Sequence, residues 1–260
     1  MLSRANSSSS PDTVLRLVLA AVALGAWCVL WLWGRSSFGH MMLHRTAHVP
    51  MAASSAATFA LLFVAGWTLM TLAMMLPSSL PLVLMFHRLA GQRPSASWLV
   101  TLLIAAYLSV WAACGILLLL LNSLLRVVVA SLPWLAARPA IASAMILAIA
   151  GLYQFSSLKY ACLDKCRSPM SFLITHWQGG NKSLQALRIG AEHGLYCVGC
   201  CWSLMLLMFL VSAGSLAWML LLGVVMAAEK NLSWGRRLSA PLGAICLLGA
   251  TLLLISEVTV

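Results

Sequence analysis

Of the 260 residues, 62% are hydrophobic and only 8% charged, against roughly a quarter charged in ordinary soluble domains. This composition argues against a water-soluble globular protein and for one membrane domain. The formal net charge of +11 does not point to a nucleic-acid binder, because the 16 Lys and Arg residues punctuate apolar segments instead of lining one exposed face.

The first 13 residues, with serines at 7 to 10, are polar and expected to be a disordered tail; residues 14–260 are expected to form a single transmembrane helical domain. The apolar run from Val14 to Trp33 is long for the core of a signal peptide. Its end, Leu32-Trp33-Gly34-Arg35, lacks the small-x-small pattern of a cleavage site, and residues 21 to 23 match that pattern only weakly. The run therefore reads as a retained span. Apolar stretches bounded by charge, Pro or Gly then predict seven spans, near 14–33, 57–86, 98–121, 139–158, 194–212, 215–228 and 239–256, each near the roughly 20 residues that a helix needs to cross a bilayer core. The sixth is short and follows the tight turn Ala213-Gly214-Ser215, so six spans remain possible. Pro77 and Pro81 interrupt the second run and predict a break at Pro77. The fold class is all-α, a polytopic transmembrane helical bundle.

Seven spans place Arg4, Arg16, Arg88, Arg93, Lys159, Lys165, Arg167, Lys182, Arg188, Lys230, Arg236 and Arg237 on one side. The other side receives only Arg35, Arg45, Arg126 and Arg138. The excess of positive charge assigns the first group, and the N-terminus with it, to the cytoplasm. No internal repeat or inverted half is visible, which weakens a secondary-transporter reading.

The residues that carry chemistry begin in the loop after the first span. His40, His44 and His48 suit extracytoplasmic metal capture, or are polar surface residues. Near the end of the second span, Trp67, Met70 and Met74 share a helical face, with Met75 beside them; the thioethers are packing residues or weak ligands for a soft metal. After the fourth span, Cys162 and Cys166 lie four residues apart, so a continuing helix would point both sulfurs one way. They would then donate to one metal or form a disulfide, which is disfavoured on the cytoplasmic side. Lys159, Lys165 and Arg167 either favour thiolate over thiol or simply orient the chain.

The densest stretch opens the fifth span. His193, Cys197, Cys200 and Cys201 fall at i, i+4, i+7 and i+8, and Met208 lies deeper on the same stripe. Imidazole, thiolate and thioether suit Cu(I) or Zn(II), whereas Mg and Ca need oxygen ligands that are scarce here. Inert packing is the competing reading of these cysteines, and close helix packing that of Gly194 and Gly199. Glu229 and Lys230 end the sixth span. An acid at a membrane boundary is expected to pair with Lys230 or with a base on a neighbouring helix, or to accept a proton. Cys28, Cys114 and Cys246 stand alone in apolar runs and read as packing residues. No Walker loop, dinucleotide fingerprint, zincin motif or nucleophile elbow is present, so no catalytic residue is assigned.

The combination of four elements resembles a family of bacterial predicted metal-binding integral membrane proteins that is carried as a domain of unknown function. These elements are Trp67-x2-Met70-x3-Met74-Met75-x-Pro77, Tyr153-Gln154-x4-Lys159-x2-Cys162-x3-Cys166-Arg167-x-Pro169, Gly190-x2-His193-Gly194-x2-Cys197-x2-Cys200-Cys201-Trp202 with Met205, and Glu229-Lys230. The resemblance implies a multi-helix membrane protein with a metal site and carries no activity with it.

Together these readings predict a non-enzymatic protein of the bacterial inner membrane that binds a soft metal, copper first and zinc as the alternative. Its site is expected to comprise Cys162, Cys166, His193, Cys197, Cys200, Cys201, Met74, Met75, Met205 and Met208, supported by Lys159, Glu229 and Lys230. Transport, storage or delivery to another membrane protein would proceed by ligand exchange. The expected partners are the metal ion, the lipid bilayer and a recipient protein, with no nucleic acid. A membrane thiol or metal-dependent oxidoreductase is the second reading, disfavoured because Cys197-Val198-Gly199-Cys200 lacks the βαβ context of redox motifs. A structural subunit with inert cysteines is the third.

Overall fold

The computed structural model describes residues 11–35, 53–91, 95–132, 138–177, 180–211 and 215–258. Within them the regular structure is helical. The elements are α1 (Pro11–Arg35), α2 (Ala53–Ser78), α3 (Leu80–Ala90), α4 (Ala96–Ala130), α5 (Pro139–Gln154), α6 (Ser157–Arg167), α7 (Pro169–His176), α8 (Lys182–Leu206), α9 (Met208–Val211), α10 (Leu216–Asn231), a 3-10 turn (Gly235–Leu238) and α11 (Ser239–Val258). The His40, His44 and His48 segment lies outside the described residues.

Four described helical segments are long and apolar enough to cross a membrane: Asp12–Arg35, Ala57–Ser78, Ala96–Val129 and Gly235–Glu257. A fifth is obtained if α5 and α6, bent by 62° at Phe155-Ser156, count as one broken span. Many large apolar residues face outward along these helices, among them Leu24, Leu61, Leu117, Ile149 and Leu252, as suits a chain whose solvent is lipid. The expected fifth and sixth spans correspond to α8, which carries Arg188, Glu192 and His193 in its first half, and to α10, which has only 16 residues.

Element boundaries differ from the expected ones for local reasons. Helix α1 starts at Pro11, inside the expected tail, because proline is well suited to the first helical position. Asp12 in that first turn bonds Arg88 Nε at 2.8 Å and tethers α1 to α3. The second run is two helices. Helix α2 continues through Pro77 to Ser78, and α3 restarts at Leu80 with Pro81 in its first turn. A proline in the last turn loses only a terminal backbone bond, so the break falls just beyond it. Helix α4 continues well past residue 121 to Ala130, since its apolar pattern persists on both sides of Arg126. Helix α5 stops at Gln154, and the Ser156 side chain caps α6 by accepting from the Lys159 amide.

Helix α8 is central, packed against α4, α6, α5 and α10, while α11 lies along α5 and α1 along α2. The α8–α4 approach depends on glycine. A Cβ at Gly190 would lie 2.2 Å from the Leu103 carbonyl oxygen, and one at Gly194 would lie 3.0 Å from Val110 Cβ. The backbone of α4 therefore occupies the space that larger residues on α8 would need. Replacing Gly190 by Ala improves helix propensity but forces backbone apart. We expect Gly190→Ala to lose about 1–3 kcal/mol net, seen as a lowered melting temperature of the detergent-solubilised protein, whereas Gly25→Ala, whose Cβ meets nothing within 4 Å, should not lower it.

Candidate metal centre

Helix α8 presents its chemistry on one buried stripe, as the spacing predicts: His193, Cys197, Cys200, Cys201 and Met205 are buried, and Met208 follows on α9. Asn181 starts the helix, its side chain accepting from the amides of Ser183 and Leu184. Helix α6 brings Cys162 and Cys166 to the same region. Cys162 Sγ fits against Gly199, where a Cβ would lie 2.5 Å from it, and Cys166 Sγ lies 3.9 Å from Cys200 Sγ. None of the eight cysteines is in a disulfide. Helix α2 contributes Trp67, Met70, Met74 and Met75 to the same buried cluster as the cysteines, with Met205, Met208, Met219 and Met226 also in it.

The polar contacts resolve which sulfurs meet. Cys201 Sγ donates to the Cys197 carbonyl at 2.7 Å and lies 3.8 Å from Met75 Sδ. Cys200 Sγ donates to the Cys197 carbonyl at 3.2 Å. Cys197 Sγ receives the Lys230 ammonium at 3.0 Å and meets the Tyr107 hydroxyl at 3.1 Å. The same ammonium lies 3.3 Å from Ser78 Oγ and 3.6 Å from Met75 Sδ. His193 Nε2 is hydrogen-bonded to Ser79 Oγ at 3.2 Å, its ring stacked on Tyr107; it faces the break between α2 and α3. The donors thus meet in pairs. Among the described residues no three His, Cys, Asp or Glu side chains form a ready-made group for a metal ion.

A buried base–acid pair joins α6 to α10. Glu229 pairs with Lys159 of a neighbouring helix, at 2.8 and 3.0 Å, and not with Lys230. Ser239 Oγ donates to the same carboxylate at 2.7 Å, and Lys159 also donates to Gln154. Arg167 donates to the carbonyls of Glu229 and Ser233. The cation that reaches a cysteine is therefore Lys230, whereas Lys159 and Arg167 brace α10 against α6. Sequence reading missed Tyr107, Ser78 and Ser79. Tyr107 carries a signal, being a lone phenol inside an apolar run, since a buried hydroxyl needs a partner. The two serines between prolines carry none. Of the isolated cysteines, Cys246 is buried and Cys114 half-buried, while Cys28 is exposed and does not pack inside the chain.

Breaking the Lys159–Glu229 pair strands a buried charge. Lys159→Met is expected to cost about 3–5 kcal/mol, measured by thermal or denaturant unfolding in detergent. The double variant Lys159→Met with Glu229→Gln should recover a substantial part of that loss, because no full charge is left alone.

Residues 64–253 match the family PpoB2, described as copper chaperone. The match covers all four motifs from Trp67 to Lys230 and leaves out residues 1–63, with all of α1 and the His40–His48 segment. No curated protein and no solved structure matches the chain. The family carries the metal-binding character expected from the motifs and names copper as the metal. With about three-quarters of its length inside the match, the chain belongs to the PpoB2 copper chaperone family.

Proposed function

We propose that the protein is an integral protein of the bacterial inner membrane that holds Cu(I) in a buried thiolate and thioether cluster and hands it to another membrane protein by ligand exchange. The observation that carries this reading is the convergence of α2, α6, α8 and α10 on one cluster of sulfurs, beside the family match. Cys197, Cys200 and Cys201 with Cys162, Cys166, His193 and Met75 are the donor set; Met74, Met205 and Met208 line the route next to it. Two-coordinate and three-coordinate sulfur binding suits Cu(I) and leaves positions free for an incoming ligand. Donors that meet in pairs fit a carrier better than a closed structural cage does, since a carrier must also release its ion. Zinc remains the alternative cargo.

The topology proposed with it has seven spans and a cytoplasmic N-terminus, as one helical domain over 14–260. Helices α8 and α10 are the extra crossings. The bias of Lys and Arg between the two sides supports that orientation. Helix ends expected on the cytoplasmic side meet one another: Met75 and Ser78 at the end of α2, Lys159 after α5, and Glu229 with Lys230 at the end of α10. The His40, His44 and His48 loop would then collect metal on the outer side.

A thiol oxidoreductase is the second reading, favoured by the 3.9 Å approach of Cys166 and Cys200. Metal analysis separates the two. Protein purified in detergent under reducing conditions should bind roughly one Cu(I) per chain, and the Cys197→Ala, Cys200→Ala, Cys201→Ala triple variant should lose it. Equal or absent copper in both proteins would sink the proposal, and mixed disulfides trapped at Cys166 or Cys200 would then support the redox reading.

A further inference from the structure

The end of α10 holds a charge whose surroundings differ from those of other buried bases. Lys230 Nζ lies at the point on which Cys197 Sγ of α8, Met75 Sδ of α2 and Ser78 Oγ of α2 converge, at 3.0, 3.6 and 3.3 Å. Two of its three neighbours are soft sulfur donors, and among the described residues no carboxylate pairs with it. Glu229, next in sequence, is turned to Lys159 and Ser239. A buried ammonium is expensive unless paired or hydrogen-bonded, and an acid partner would be the ordinary solution. Here a monovalent cation is held instead by the atoms that would ligate a soft monovalent metal.

We propose that the Lys230 ammonium is a tethered stand-in for Cu(I), occupying the Cys197–Met75 site when it is empty and leaving it when copper enters. This rests on the copper reading above and deepens it by assigning how the site selects and admits its ion. In the exchange Cys197 is a thiolate throughout, its sulfur accepting from the Lys230 ammonium and meeting the Tyr107 hydroxyl in the empty site; bonds form from copper to Cys197 Sγ and Met75 Sδ, the three hydrogen bonds of the ammonium break, and no S–H bond is broken. Copper stays in the +1 state, Lys230 keeps its protons, and nothing is oxidised or reduced. The metal–sulfur bonds are shorter than the ammonium contacts, about 2.3 Å for a metal thiolate, so the ion and Nζ cannot share the point.

The fold supplies an exit. Lys230 is the penultimate residue of α10, followed by exposed Asn231, Leu232 and Ser233, and a four-carbon stem carries its head toward polar surroundings from such a place. Ser78, at the end of α2, stands beside the ammonium. Because one unit charge replaces another, the buried pocket keeps its charge. A divalent ion entering the same point would add a charge to a low-dielectric site, which is costly. Charge matching therefore favours Cu(I) over Zn(II), independently of donor softness.

The test uses full-length protein in detergent, anaerobic, titrated with Cu(I), Ag(I) or Zn(II) and pulsed with an amine-acylating ester. Labelling is mapped by peptide mass spectrometry with exposed Lys182 as internal reference. Lys230 should be protected in the empty protein, and its labelling should rise about tenfold or more with Cu(I) or Ag(I), as expected when a buried group becomes solvent-accessible. It should return to the protected level when a chelator removes the ion. Stoichiometric Cu(I) with Lys230 still protected would overturn the exchange while leaving copper binding intact. No bound Cu(I) at all would overturn both. Equal labelling with Zn(II) would overturn charge matching. The Lys230→Met variant, monodisperse and with an unshifted melting temperature, should bind Cu(I) at least as tightly as the parent; loss of copper from that folded variant would show the ammonium to be a required counter-charge and overturn the stand-in role.

Discussion

The buried carboxylate of Glu229 organises the junction of α6, α10 and α11. It draws Lys159 from α6, Ser239 from α11 and, through its carbonyl, Arg167 from the end of α6. In an apolar interior these partners are obligatory, because an ionised acid without them would be far too costly to retain. Once Glu229 is committed to that side, the helical step of about 100° between neighbours turns Lys230 toward α2 and α8. The placement of the second base among the sulfurs is thus a consequence of the first ion pair, and the cysteines are met by a cation because the acid is occupied elsewhere.

The packing of α8 against α4 and α6 explains why the sulfur cluster is buried. Small residues on α8 let two neighbours approach closely, one through the Leu103 carbonyl and the other through the Cys162 sulfur. Close approach brings Tyr107 within reach of Cys197 and holds His193 against the α2–α3 break. In the membrane setting proposed for the chain, where lipid removes the hydrophobic driving force between helices, shape at these small residues and polar contacts across the interfaces would hold such a bundle together.

Much of this was legible in the sequence, and the limits were physical ones. Apolar runs located the helices, and the His193 to Cys201 spacing correctly placed its side chains on a single buried stripe. Helix ends were harder. Pro77 tolerates the last turn of α2, and the leucines and valines around Arg126 carry α4 far beyond the length a bilayer requires, since composition alone does not say where an apolar helix leaves lipid. Partner choice was hardest. Glu229 and Lys230 adjoin in sequence, yet a helix sends neighbours to different faces, so the adjacent pair was the wrong pair and Lys159, 70 residues away, the right one. The contacts of Tyr107, Ser78 and Ser79 depend on which helices become neighbours, which no single helix's periodicity encodes.

The notch at Gly199 has a consequence for how such a chain is able to vary. The missing side chain there is filled by the Cys162 sulfur from a helix that precedes it by more than 30 residues. The two positions behave as one unit of volume shared between α6 and α8. A methyl group at 199 is compatible with the fold only if the sulfur at 162 is given up, and a chain that loses the sulfur is left with a void that 199 is free to fill. Any lineage that drifts at one position is thereby steered at the other, and a thiol kept for chemistry would hold the glycine in place with it.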